Sequence, residues 1–74
     1  MVPMTRDEWL ARLAVELGTP PPTAAEVDAL LALAGRAAHA SERTAAPLTC
    51  WMVARAGRDP LEASALVERL TNES

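Results

Sequence analysis

An all-α fold is predicted for this chain on three observations. No segment alternates β-branched and polar residues as a half-buried strand does. Apolar residues recur at i, i+3, i+4 spacing from Trp9 to Leu70. Three segments open with a capping side chain followed three positions later by Glu: Thr5 with Glu8, Thr23 with Glu26, and Asp59 with Glu62. Such pairs satisfy backbone donors that the first helical turn otherwise leaves orphaned. Connections between the segments are short, so the expected architecture is a compact four-helix arrangement without a sheet, its neighbours roughly antiparallel. One helical domain is expected over residues 1–74.

The first helix is expected over residues 6–17, with Trp9, Leu10, Leu13, Ala14 and Leu17 on one face and Gly18 ending it in the left-handed position after the last turn. Pro20, Pro21 and Pro22 then forbid helix and favour extended backbone, so the next helix leaves at a fixed angle. The second helix is expected over residues 24–40, along the stripe Val27, Leu30, Leu31, Ala34, Ala37 and Ala38. Its small residues permit close approach of a neighbour. Gly35 costs about 1 kcal/mol relative to Ala inside a helix, and lies either on the exposed side or at a close crossing.

Pro47 suits the first position of a third helix, expected over residues 47–56 and stopped by Gly57, with Leu48, Trp51, Met52 and the stem of Arg55 turned to the core. Pro60 follows the cap Asp59 and opens a fourth helix over residues 60–71, on the stripe Ala63, Leu66, Val67 and Leu70. Fraying is expected from Asn72 to Ser74.

Composition narrows the functional classes. The net charge is −3 over 74 residues, and all seven basic residues are Arg, scattered from Arg6 to Arg69. Phosphate backbones call for a concentrated basic face, so nucleic acid is not expected as a ligand. Residues 1–5 lack a basic leader segment, and no apolar run nears the ~20 residues that span a bilayer. A cytoplasmic location without membrane association is expected. A chain this short buries a small share of its surface, and a single Cys forms no internal disulfide, so self-association or a protein partner is the natural supplement to stability.

The stretch from Arg36 to Thr49 carries the candidate chemistry, because the one histidine, two arginines and a proline-led helix start converge there. Ala46 precedes Pro47 and offers no capping oxygen, which on these boundaries leaves the amides of Leu48 and Thr49 open at a positive helix end. Arg43 and the Thr49 hydroxyl complete a candidate cradle for phosphate or carboxylate, with His39 near the end of the second helix as its neighbour. The competing reading has Glu42 fold back as an internal cap, or water in its place, and gives His39 a purely structural role.

Trp9 and Trp51 are the only aromatic residues. Two readings stay open for them, core filling and anchorage of a partner. Cys50 in the first turn of the third helix reads either as a small buried hydrophobe or as a thiol activated by the helix end with His39 as base. A bundle this small seldom encloses a reaction cleft, so no enzymatic activity is expected. One His and one Cys do not assemble a zinc site, and no metal or cofactor is expected.

The runs Asp7-Glu8-Trp9-Leu10, Ala37-Ala38-His39, Glu42-Arg43 and Ala45-Ala46-Pro47-Leu48-Thr49 give the chain a wider likeness. It resembles a small, functionally uncharacterised actinobacterial helical domain found alone or as a C-terminal tail of molybdenum cofactor guanylyltransferase-like proteins. It departs from that pattern at Thr44, where proline is usual. The resemblance implies a place in molybdenum cofactor maturation or molybdoenzyme assembly. From residues and resemblance together, the expected function is a noncatalytic accessory or interaction module. Its expected site is the loop between the second and third helices, formed by His39, Arg43, Leu48 and Thr49, with Trp9 and Trp51 as interface residues and a protein, a nucleotide or a molybdopterin-type anion as ligand. The alternative is a self-associating structural bundle without a small ligand.

Overall fold

The computed structural model describes residues 4–72. Four helices follow one another: α1 (Arg6–Leu17), α2 (Ala24–Ala40), α3 (Ala45–Arg55) and α4 (Pro60–Asn72). Strands are absent among the described residues, and no helix there is long and apolar enough to cross a membrane. The expected leader-free start lies partly outside the described residues, as do Glu73 and Ser74 of the expected frayed end.

Local chemistry fixes the helix ends. The Thr5 hydroxyl accepts the Glu8 amide at 3.1 Å. Thr23 and Glu26 exchange both arms of a capping box, at 3.1 and 2.8 Å. The Asp59 carboxylate accepts the amides of Leu61 and Glu62, which seats Pro60 at the first helical position. Gly18 and Gly57 stand at φ 69° and 70°, the left-handed backbone that ends a helix. Each donates its N–H to the carbonyl three residues back, Val15 and Ala54, and the following residue reaches the carbonyl five back, Ala14 and Val53.

α3 begins two residues before the expected start at Pro47. Thr44 already has helical backbone angles, φ −67° and ψ −16°. The amides of Ala45 and Ala46 donate to the carbonyls of Glu42 and Arg43 at 2.9 and 3.2 Å, so the preceding turn winds straight into the helix. Pro47 becomes its third residue, where the missing N–H still costs no ladder bond. The helix closes at Arg55 with Ala56 as its cap, and α4 extends to Asn72.

The core lies along α2, which packs against both α3 and α4. Leu33 is fully buried, 0% exposed, and the other buried side chains among the described residues are Ala14, Ala37 and Ala63. The expected stripe on α2 holds at Ala37, which is buried, and at Val27, Leu30, Ala34 and Ala38, which are half-buried, but Leu31 points outward and Leu33, outside that stripe, is the residue fully buried. With alanine at most other positions of α2, three nearby leucines leave the inward direction underdetermined by spacing alone. The half-buried positions of α3 are Ala45, Ala46, Thr49, Cys50 and Val53. These are small side chains, and they let α3 sit close to α2. Leu48, Trp51 and Met52, expected inside, lie on the opposite face and are exposed.

α1 stands apart. No Cα of α1 comes within 8 Å of a Cα of another helix, and the described structure is drawn out to 44 × 28 × 19 Å. Leu10 and Ala11 line a depression together with Pro21, Pro22 and Val27, where α1, the proline loop and the start of α2 come near one another.

Two consequences are measurable by urea denaturation. Leu33→Ala is expected to cost about 2–5 kcal/mol, against less than about 0.5 kcal/mol for Leu31→Ala on the exposed side. Gly35 is exposed with open space around its missing Cβ. Gly35→Ala is therefore expected to raise stability by about 0.8 kcal/mol through helix propensity, whereas Gly57→Ala lowers it by about 1 kcal/mol or more because of the left-handed backbone.

Candidate functional site

Two larger depressions mark the surface of the α2–α3–α4 unit. One, of about 450 Å³, opens at the end of α2 beside the end of α4 and is lined by Arg36, His39, Ala40, Thr71 and Asn72. The other, of about 420 Å³, is a mainly apolar groove between α3 and α4. Thr49, Met52 and Val53 form one wall of it, Ala63, Leu66 and Leu70 the other, and Arg58 supplies its one charge.

The four residues expected to form a loop site do not line one common depression. His39 is exposed on the last turn of α2 and lines the polar depression, which Arg43, Leu48 and Thr49 do not line. Thr49 lines the apolar groove instead, and Arg43 is exposed in the turn between α2 and α3. The earlier start of α3 also places Leu48 and Thr49 at its fourth and fifth residues. Both positions fall after the first turn, where the orphan amides of a helix start are found. Glu42 does approach the helix start, through its Oε2, which accepts the Thr44 hydroxyl at 3.4 Å. Thr44, the residue at the N-cap, makes no side-chain capping hydrogen bond.

In the polar depression Arg36 is already engaged. Its Nη2 lies 3.4 Å from Glu68 Oε1 and its Nη1 donates to Thr71 Oγ1 at 3.4 Å, tying α2 to α4. The pair is half-exposed, so the link is worth under about 1 kcal/mol. Among the described residues no three His, Cys, Asp or Glu side chains gather to hold a metal ion.

Beside the apolar groove lies an exposed apolar row that sequence periodicity assigned to the core. Leu48, Trp51 and Met52 form an outward row on α3, 63%, 59% and 65% exposed. Arg55 lies one turn beyond Trp51 and holds its guanidinium carbon 5.1 Å from the ring centroid, a cation–π contact worth about 0.5–1 kcal/mol at an exposed site. Trp9 is likewise half-exposed, at 52%. Both indoles are thus surface residues, contrary to the core reading, and available as anchors. Met52, Leu66 and Leu70 were missed as site residues. Helical spacing marks them as apolar but does not say whether a neighbour covers them.

Cys50 is half-buried on the inner side of α3. Burial pushes its thiol up from the ordinary value, since a thiolate there loses solvation. The direction is opposite to that of an activated nucleophile. Because the folded chain holds this proton more tightly than the unfolded chain, the associated stability is present below the ordinary thiol range and is lost as pH rises through the raised value. Iodoacetamide alkylation of Cys50, followed against pH by mass spectrometry, is expected to show a midpoint above that of the same protein in urea. A midpoint below it would restore the reactive-thiol reading.

No curated protein and no solved structure matches the chain significantly. A family model described as a domain of unknown function, DUF6457, matches residues 1–73. With nearly its whole length covered by that match, the chain belongs to the DUF6457 family.

Proposed function

We propose that this chain is a noncatalytic protein-interaction module that docks through the apolar groove between α3 and α4 and the row beside it. The observation that carries the reading is the outward row of Leu48, Trp51 and Met52 on a helix that buries none of its residues completely. A single exposed leucine is ordinary, but a contiguous apolar row bordering an apolar groove is the anatomy of a binding surface. Trp51 and the neighbouring Arg55 are of the residue types that dominate binding energy at such surfaces. Half-exposed aromatic side chains with few rotamers lose little entropy when covered.

The docking surface replaces the loop site as the centre of the function, and Leu48 and Thr49 remain within it. The setting we infer is molybdenum cofactor maturation in the cytoplasm, on the strength of the sequence resemblance alone. The module would act there by holding a protein and not by altering the cofactor.

Site-specific photocrosslinking tests the surface directly. A benzophenone amino acid is placed at position 52, and for comparison at position 28 on the exposed side of α2, in the intact chain expressed in its host. Crosslinked polypeptide is expected from position 52 at several times the yield from position 28. Equal yields, or none from position 52, overturn the docking reading.

A further inference from the structure

We infer that the occupant of the α3–α4 groove is α1 of a second copy of this chain, in a two-fold dimer in which each chain's α1 lies in the other's groove. The inference rests on the docking reading above and names its partner. It begins from area. The chain exposes 5887 Å², whereas a folded monomer of 7.9 kDa exposes roughly 4,400 Å² by the surface scaling law. The surplus, on the order of 1,500 Å² per chain, exceeds the ~800 Å² that each partner contributes to a stable interface of standard size.

That surplus includes two surfaces that complement one another. α1 presents Trp9, Leu13 and Leu17 as a row at i, i+4 and i+8, of which Trp9 and Leu17 are well exposed and Leu13 half-buried. Ala14 of the same helix is buried and Leu10 lines the depression at the proline loop, while Trp9 and Leu17 stand exposed with α1 fully helical. From Trp9 to Leu17 the helix rises about 12 Å. The groove walls, from Thr49 to Ala56 on α3 and from Ala63 to Leu70 on α4, each rise about 10 Å, so ridge and groove agree in length. Arg58 is the charged residue of the groove, and Glu16 beside Leu17 on α1 carries the opposite sign.

The two surfaces belong to one chain but do not meet within it. α1 reaches no other helix at the level of the backbone, and three consecutive prolines stiffen the link that would have to bend for it to fold back. A different protein in the groove would leave the row of α1 bare. Reciprocal exchange covers both surfaces twice in one closed assembly, as two-fold symmetry requires.

Sedimentation velocity of the intact chain decides the matter, over total concentrations from about 1 to about 300 µM, a range suited to an association of ordinary strength. The wild-type chain is expected to pass from monomer to dimer across the range. Trp9→Glu and Met52→Glu, both at well-exposed positions, are each expected to weaken the dimer at least about tenfold with unchanged helical circular dichroism. An equimolar mixture of the two variants is expected to recover dimer, because the intact α1 of one chain fits the intact groove of the other. Trp9→Ala and Met52→Ala repeat the test should either charge unfold the chain.

A wild-type chain that stays monomeric throughout overturns the inference. So does a Trp9 variant that dimerises normally, or a mixture that shows no recovery. The photocrosslink at position 52 separates this failure from that of the docking reading. An adduct of twice the chain mass supports the second copy. An adduct with a different polypeptide, from a chain that sediments as a monomer, removes the dimer and leaves the docking surface standing.

Discussion

The packing of this protein depends on how little it places inside. Leu33 is the one large side chain withdrawn completely from solvent among the described residues, and the positions buried with it are alanines. Alanine at Ala37 and Ala63 brings helix backbones close together, where dispersion contacts are dense but the apolar area removed from water is modest. The stability of the α2–α3–α4 unit therefore rests on close approach more than on bulk. It also rests on well-made helix ends at Thr23, Gly57 and Asp59, each fixed by short-range hydrogen bonds.

Close approach through small residues explains where the large ones went. α3 turns Ala45, Ala46, Thr49, Cys50 and Val53 inward, and a helix lying on that face must carry Leu48, Trp51 and Met52 outward. A tightly packed interior and an apolar exterior are the same fact seen from two sides. The function we propose is read from the exterior, and its specificity would come from the tryptophan and arginine displayed there.

Much of the fold was legible in the sequence because helix ends are local. Thr5, Thr23, Asp59, Gly18 and Gly57 act on backbone groups within a few residues, and the structure uses each of them as a helix boundary. Pro47 misled because proline is tolerated throughout the first turn and so marks a helix start only to within a few residues. The choice between Leu31 and Leu33, and between the two faces of α3, depends on which neighbours arrive. That is a property of the whole chain, which periodicity in one segment does not contain. Which surface depression a residue lines has the same origin. His39 and Thr49 are ten positions apart in sequence but look into separate depressions.

The isolation of α1 bears on how the molecule opens. A helix without close backbone contact to the others makes few of the interactions that hold the buried leucine of α2, and segments of this kind are where sub-global opening, at lower free energy than full unfolding, is expected. Whatever clasps α1 from outside would slow that exchange first. In this chain the helix with the fewest close backbone neighbours is also the one whose ordering a partner can most readily complete.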